Sequence, residues 1–521
     1  MKRIGRRHIT LLDFPRILLI GGSVLLIGWL AYYLFSTIFN PYPIEYREGA
    51  AQVLTGLILK GSNPFAWQNQ PSGMNNYGIA YNLVALPLAA LFGNTLAIHR
   101  FVSVLFIILT GGLITKTIAG YNPHFDFALA GGCMAVLGLA AYNNPGAFPS
   151  TMGVFLFLAA VLIPSNRSFD IPSLVFSGLA SLVAFYTKPY FLLSFGIVFS
   201  FVFLFVSKKK GLYFGSYFIL LAVLSGFLIN RFFPFYFYNT VLNNAQGSDY
   251  HFEYLISQLK ILAYQFSPCL ILSLLIVLNK LLPWKQAVVL HGTWRNYFDL
   301  LKMDNPFILK PVNYPFYILG CSLLANILVL GGHLGTHMTY FYQLVMPPFF
   351  LWLFQYLKFP GRLASGSVPI ILFNMLLFCS LTLNPKNLNL HSSSWEQLYQ
   401  YLQPSYKVLN SPVLVSRMLE LGMEPVDSGQ TEYFMEVKPY ETSIMVPSYA
   451  AVKSQANQFQ GSIINAVKNK TYDRVILTRG HSPLVSFKLV KQYYHLTKTI
   501  RVVMPQASHS QWYIEVWEPN P

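Results

Sequence analysis

The sequence predicts an α-helical polytopic membrane protein that ends in a small α/β domain. Three observations lead there. Only 11% of the 521 residues are charged while 54% are hydrophobic, and mean hydropathy is +0.45; soluble domains carry roughly a quarter charged residues. Apolar runs on the scale of a bilayer recur from residue 16 to residue 383, separated by short polar turns. Beyond residue 384 polar residues return and strand-like runs alternate with helical ones. A single soluble core stops growing at about 250–300 residues, so a soluble enzyme is excluded, and so is intrinsic disorder. The net charge of +17 invites a nucleic-acid partner. Bilayer proteins, however, concentrate Lys and Arg in cytoplasmic loops, and no nucleic-acid partner is expected.

The first span, 16–38, follows the basic N-terminal residues Lys2, Arg3, Arg6 and Arg7. It is too long for a signal-peptide core and lacks a small-residue cleavage site, so it is a retained helix with a cytoplasmic N-terminus. Residues 39–77 then form the first external loop. Further apolar segments lie near 78–93, 97–118, 125–142, 150–164, 172–187, 190–206, 212–230, 262–282, 313–331, 341–357 and 366–383. Cytoplasmic turns are marked by Lys208, Lys209 and Lys210, by the stretch 283–312 with Lys285, Arg295, Lys302 and Lys310, and by Lys358 with Arg362. These turns place 188–189, 232–260, 332–340 and everything after 384 outside. Counting from the N-terminus gives the opposite parity, so one segment between 78 and 165 does not cross; 97–118 and 125–142 are the suspects. About eleven spans, or thirteen, satisfy the basic turns.

The division is therefore a transmembrane module, 1–383, and an extracytoplasmic α/β domain, 384–521. In the latter, strands are expected at Tyr472–Thr478 and Gln511–Trp517, and helices at Trp395–Leu402 and Ser486–Tyr494. Cys133, Cys269, Cys321 and Cys379 lie in apolar stretches without CxxC spacing and read as small buried hydrophobes. The Asn469-Lys470-Thr471 sequon carries no weight.

The first external loop holds the densest chemistry. Glu45 and Glu48 stand three apart ahead of Val53, Leu54, Leu57 and Leu59, which predicts an amphipathic helix over 45–60 lying on the bilayer surface. Carboxylates at i and i+3 share a helical face. They either cap the helix and complement its dipole or act on a substrate.

Several motifs occur in a consistent order. Glu48-Gly49 follows the first span; Gly61-Ser-Asn-Pro64-Phe65 and Asn76-Tyr77-Gly78-Ile-Ala-Tyr81-Asn82 come next; Leu91-Phe92-Gly93 leads to Arg100 and Ser103; Gly178 leads to Lys188-Pro189; and Gly335 leads to Tyr340 and Gln343. In this order the sequence resembles the family-C (GT-C) membrane glycosyltransferases, a superfamily that includes protein O-mannosyltransferases and the lipid A aminoarabinose transferase. The resemblance runs the whole chain, including the Tyr472-Asp473 strand of the last domain. It implies sugar transfer from a polyprenyl-phosphate donor at the external face, with inversion at the anomeric carbon.

Under that resemblance an acceptor hydroxyl needs a positioned carboxylate to take its proton. Glu48, directly followed by Gly49, matches the family's acidic position most closely, and Glu45 is the second candidate. Arg47 before Glu48 departs from the family's usual Asp-Glu. The leaving phosphate needs cations. Lys188 and Arg231 stand at external helix ends and either contact that phosphate or snorkel to the interface. Arg100 is expected towards the cytoplasm and reads as a topological charge. The aromatic run Phe232–Tyr238 is an interfacial belt or lines an isoprenoid groove. Tyr77, Tyr81, Tyr340 and Gln343 are expected to meet substrate. His333 and His337, at i and i+4, either bind phosphate or sugar or share a metal ion. No cofactor is fixed by the sequence, and a divalent cation stays open because some family members use one. The second acidic position the family often carries near 143–150 has no carboxylate here. Loop 232–260, with Asp249, His251 and Glu253, is expected to be a flexible flap over the site.

The leading function is thus an inverting glycosyltransferase of the cytoplasmic (inner) membrane. Its partners would be a polyprenyl-phosphate-sugar donor, a glycan, lipid or protein acceptor, and the bilayer. The alternative is a transporter or flippase of a lipid-linked sugar. Transporters usually show repeated halves and broken helices near the midplane, and this sequence shows no halves. A non-catalytic subunit of an envelope polysaccharide machine is the third reading.

Overall fold

The computed structural model describes residues 14–142, 146–246, 249–281, 314–333, 339–357, 362–382, 392–441, 444–480, 484–504 and 511–521. The basic N-terminus, the 283–312 stretch, Lys358 and His337 lie outside the described residues. The membrane part consists of α1 (Phe14–Ile38), α2 (Glu48–Leu59), α3 (Ala80–Phe92), α4 (Leu96–Tyr121), α5 (Phe125–Tyr142), α6 (Ser150–Asn166), α7 (Ile171–Phe185), α8 (Leu193–Phe201), α9 (Lys208–Phe232), α10 (Asn243–Gln246), α11 (Phe252–Leu281), α12 (Tyr314–Ala325), α13 (Met346–Phe354) and α14 (Arg362–Thr382). Short 3-10 or π turns extend several of them, notably Pro189–Leu192 before α8 and Phe341–Val345 before α13. Among the described residues five helical segments are long and apolar enough to cross a membrane: Phe14–Ile38, Leu96–Tyr121, Pro189–Val206, Lys208–Phe232 and Phe252–Leu278. The chain is an integral membrane protein.

Contacts between helix ends define two poles of the bundle. At the far pole Arg16 bonds Asp126 (3.0 Å), Tyr121 meets Ser165 (2.9 Å), Asn122 donates to the carbonyls of Phe354 and Leu357, and Lys210 donates to the Phe169 carbonyl. At the other pole, the loop pole, Arg100 meets Glu48, and the Gly78 amide donates to the Thr187 carbonyl (2.9 Å). Thus α4 runs from the loop pole to the far pole and α5 returns. α3, by contrast, is held at one pole. Its first turn is tied to α2 through Asn82, which donates to Ala51 O and Thr55 Oγ1. Asn94, just past its end, exchanges bonds with Gln52 of the same helix. Thirteen residues rise about 20 Å, short of the roughly 30 Å hydrocarbon core. With α3 held at one pole, the count from the N-terminus agrees with the count from Lys208–Lys210. Where the sequence expects 97–118 or 125–142 not to cross, α4 and α5 join the two poles, and Leu96–Tyr121 is long and apolar enough to cross.

The C-terminal region contains α15 (Ser392–Tyr399), β1 (Val408–Leu409), α16 (Val415–Glu420), α17 (Thr431–Met435), α18 (Tyr449–Lys468), β2 (Arg474–Thr478), α19 (Phe487–Tyr493), β3 (Tyr494–Val503) and β4 (Gln511–Pro519). The sheet order is β1-β2-β4-β3, with β1 parallel to β2 and the other pairs antiparallel. Ser448 and Ser486 cap α18 and α19 by accepting backbone N–H bonds, as serine does at helix starts.

This region does not hang free of the membrane part. Tyr42 stacks on Trp395 and donates to Glu396 (2.7 Å); the Asn76 amide donates to Gln430 (2.6 Å); Gln455 donates to the carbonyls of Trp67 and Gln70. α2 is therefore covered, with Glu48 to Gln52 buried. A Cβ on Gly49 would stand 2.5 Å from Val415. The expected surface helix is an internal one that begins at Glu48, leaving Glu45 in the preceding turn. Of the stretch expected as a flexible flap, the part from Phe235 to Asn243 is packed, while Asp249, His251 and Glu253 are exposed. Phe235, Tyr236, Tyr238, Asn239 and Thr240 are buried, and a π turn and α10 follow before α11 begins at Phe252. Phe235 packs on Trp67 and Phe434, and Tyr238 on Phe434 and Tyr440. Phe235, Tyr236 and Tyr238 of that run are core between the first loop and the C-terminal region, with a wall on each side, whereas Phe232 at its start is 63% exposed.

Close approach of α4 and α5 depends on glycine. A Cβ on Gly132 would lie 1.9 Å from Thr115 Oγ1 and 2.8 Å from the Gly111 carbonyl, whereas Gly112 faces open space. Small residues at such crossings let helix backbones meet. Gly132→Leu is expected to cost about 1–3 kcal/mol through overpacking, read as a lower thermal midpoint in detergent micelles. Gly112→Leu should leave the midpoint unchanged; equal behaviour of the two variants would refute the crossing.

Candidate functional site

The two carboxylates of the first loop have opposite surroundings. Glu48 is 1% exposed and is gripped at both oxygens. Its Oε1 accepts from Arg100 Nε (2.8 Å) and the Ala147 amide (3.0 Å); its Oε2 accepts from Arg100 Nη2 (2.7 Å) and the Ile44 amide (2.8 Å). An ionised carboxylate offers about four acceptor positions, so Glu48 has none to spare. Burial alone would raise its pKa, but the Arg100 charge and these bonds hold it below the ordinary value.

Arg100, expected at the cytoplasmic side, lies at the loop pole instead. It is fully buried, and Nη1 and Nη2 also donate to the carbonyls of Thr37, Asn40 and Tyr42. The reason for the correction is α3: once that segment stays at the loop pole, α4 must start there.

Glu45 has fewer bonds. Its oxygens accept from Arg47 Nε (2.6 Å) and from the Arg47 amide (2.7 Å), which leaves about half of its acceptor capacity. Burial raises this carboxyl above its ordinary value against the lowering pull of Arg47. Arg47 is partly exposed and lies over the rings of Tyr46 (5.1 Å) and Phe148 (5.8 Å).

Lys188, between α7 and the Pro189 turn, is half-buried with its Nζ 4.5 Å from the Tyr77 ring centroid and 5.9 Å from that of Tyr190. Burial first, and then the Arg47 charge, lower its pKa to about 7, opposed by Glu45. Tyr190 carries the cluster onward: its hydroxyl donates to Gln343, and its ring meets Tyr340 edge-on at 4.8 Å. Tyr77 also packs edge-on against Phe148. From the C-terminal region, Tyr433 of α17 adds a side-chain hydrogen bond with Tyr46 and lies within electrostatic range of Arg47 and Glu45.

The expected residues thus divide. Glu45, Lys188, Tyr77, Tyr340 and Gln343 join one cluster. Tyr81 is fully buried and donates to the His99 carbonyl (2.7 Å), so it serves packing. Arg231 is exposed in the last turn of α9, and no contact joins it to the cluster among the described residues. His333 pairs with Tyr250 beside α11. No group of three or more His, Cys, Asp or Glu is placed to hold a metal ion among the described residues. Sequence reasoning missed Tyr190 and Tyr433 and misplaced Arg100. An arginine inside an apolar helix was a usable signal, because such a charge must find a partner.

No protein-family model and no curated protein matches the sequence. Solved structures do match. ArnT from Cupriavidus metallidurans in the apo state superposes with a TM-score of 0.50 at 12% identity, covering 95% of this chain and 98% of that one. The chain has the GT-C fold. ArnT from the same organism bound to undecaprenyl phosphate gives a TM-score of 0.46 with the same identity and coverage. As the GT-C resemblance implied, the superposition covers both the helical bundle and the C-terminal sheet region.

Removing one member of a buried ion pair leaves the other uncompensated, at a cost of about 3–5 kcal/mol. Arg100→Met is expected to lose that much in detergent unfolding, and adding Glu48→Leu should recover part of the loss. A wild-type midpoint for Arg100→Met would show that the pair holds nothing together.

Proposed function

We propose that this GT-C protein is an inverting glycosyltransferase that moves a sugar from a polyprenyl-phosphate donor to an acceptor hydroxyl, at the extracytoplasmic face of the cytoplasmic membrane. The observation that carries the reading is the convergence, at one pole of the bundle, of an under-bonded carboxylate and two cations among tyrosine rings. The donor class comes from the sequence resemblance.

In this reading Glu45 is the general base. The acceptor oxygen attacks the anomeric carbon as its proton passes to a Glu45 oxygen, and the bond from that carbon to the phosphate oxygen breaks on the opposite face. The electron pair leaves with the phosphate, whose growing charge is met by Lys188, with Arg47 adjacent. A raised carboxyl pKa suits a base that must take up a proton. Glu48, low in pKa and fully bonded, has neither a free lone pair nor a tendency to take up a proton; its part is to hold Glu45's turn in place. The environments of the two carboxylates separate their roles. Tyr77, Tyr190 and Tyr340 offer ring faces and hydroxyls to a sugar.

The decisive experiment reconstitutes the full chain in vesicles with labelled polyprenyl-phosphate sugars. Glu45→Gln is expected to lower transfer by about 10²–10⁴-fold, the usual worth of a general base, with the thermal midpoint kept. Glu48→Gln should instead lower the midpoint. Full transfer by Glu45→Gln would overturn the base assignment, and movement of donor across the bilayer with no product would favour the flippase.

Lys188 adds a pH signature. Its folded pKa lies below the ordinary value, so above about pH 7 the free protein loses this cation, and phosphate binding must then take up a proton. Affinity for undecaprenyl phosphate is expected to weaken by up to about tenfold per pH unit above 7, while Lys188→Arg should flatten the profile. Identical pH profiles for wild type and Lys188→Arg would remove Lys188 from the phosphate site.

A further inference from the structure

In the C-terminal region the Tyr440 hydroxyl donates to the Pro447 carbonyl (2.6 Å), and the Tyr440 ring packs on Tyr238 and Tyr449, which ties Pro447 to that core. Just before Pro447, Ile444 is 95% exposed and Met445 is 37% exposed. An isoleucine so bare forgoes nearly all of its hydrophobic burial in water.

Ile444 and Met445 lie against α9. Asn230 Nδ2 donates to the Ile444 carbonyl (3.2 Å), and Met445 Cε is 3.5 Å from where a Cβ on Gly226 would stand. Gly226 is four residues further into the bundle than Asn230, about 6 Å along the axis. At that depth α9, one of the five helices able to cross a membrane, exposes Val223, Leu224, Phe227 and Leu228. Such a face is covered by lipid acyl chains. The exposed Ile444 and Met445 are therefore continuous with a lipid-facing surface.

We propose that Ile444 and Met445 insert into the bilayer leaflet at the loop pole, and that acyl chains are their partner. The insertion anchors the C-terminal region to the membrane independently of its packing on the first loop. Nine residues separate Met435, the end of α17, from Met445, so the anchor lies close in sequence to the segment that brings Tyr433 to the Arg47 cluster. The proposal is independent of the chemistry assigned to that cluster.

The test uses the full chain in nanodiscs of phosphatidylcholine and phosphatidylglycerol. A photoreactive benzoylphenylalanine replaces Ile444, or Lys488 as an exposed control in the same region; both positions lack buried contacts that folding would need. After irradiation, phospholipid adducts are counted by mass spectrometry. Adducts at 444 well above those at 488 are expected. Equal yields at the two positions, or cross-links from 444 to protein alone, would overturn the proposal.

Discussion

A single buried ion pair sets the geometry on which the site depends. Arg100 and Glu48 are both withdrawn from water, and the guanidinium spends its remaining donors on three carbonyls between Thr37 and Tyr42. One side chain thereby fixes the end of α1, the start of α2 and, through Glu48, the turn at Ala147. Buried pairs of this kind are weak evidence of net stability, since desolvation offsets much of the attraction. Their value here is positional. Glu45 stands three residues before Glu48, so its place beside Arg47 and near Lys188 follows from the clamp.

The same pair explains why two carboxylates in one short segment behave differently. Glu48 meets a full positive charge and four donors; Glu45 meets a partly exposed arginine and retains free lone pairs. Neighbours, not residue type, decide which carboxylate can take a proton. The tyrosines repeat the pattern. Tyr81 is locked to a backbone carbonyl, while Tyr77 and Tyr190 turn their rings to an ammonium.

Much of the bundle was legible in the sequence because apolar runs and basic turns report directly on solvent. The strands at Arg474–Thr478 and Gln511–Pro519 were legible through alternation and β-branched composition. What stayed hidden depended on pairing across long separations. Hydropathy cannot tell a crossing helix from α3, whose ends are both tied to α2 by asparagines. It cannot tell a surface helix from α2, whose second face is covered by residues near 415. Within the site, proximity in sequence favoured Glu48 through its neighbour Gly49, whereas the hydrogen-bond census favours Glu45, and that census includes Arg100, 52 positions away. The aromatic run at 232–238 had two sequence readings, lipid belt or groove. For Phe235 and Tyr238 the structural role is a third, because the partners that enclose them, Phe434 and Tyr440, come from the other end of the chain.

The bonds that close the first loop have a consequence in time. Tyr42 and Glu396, and likewise Asn76 and Gln430, are 354 residues apart. At synthesis rates of about 5–20 residues per second, the loop waits roughly 20–70 s for its cover. During that interval Glu45, Arg47 and the aromatic rings around Trp67 stand without the surface that later encloses them. The bundle is thus built first and its working end is completed last, so a chain truncated before residue 396 leaves the membrane helices with an unfinished loop.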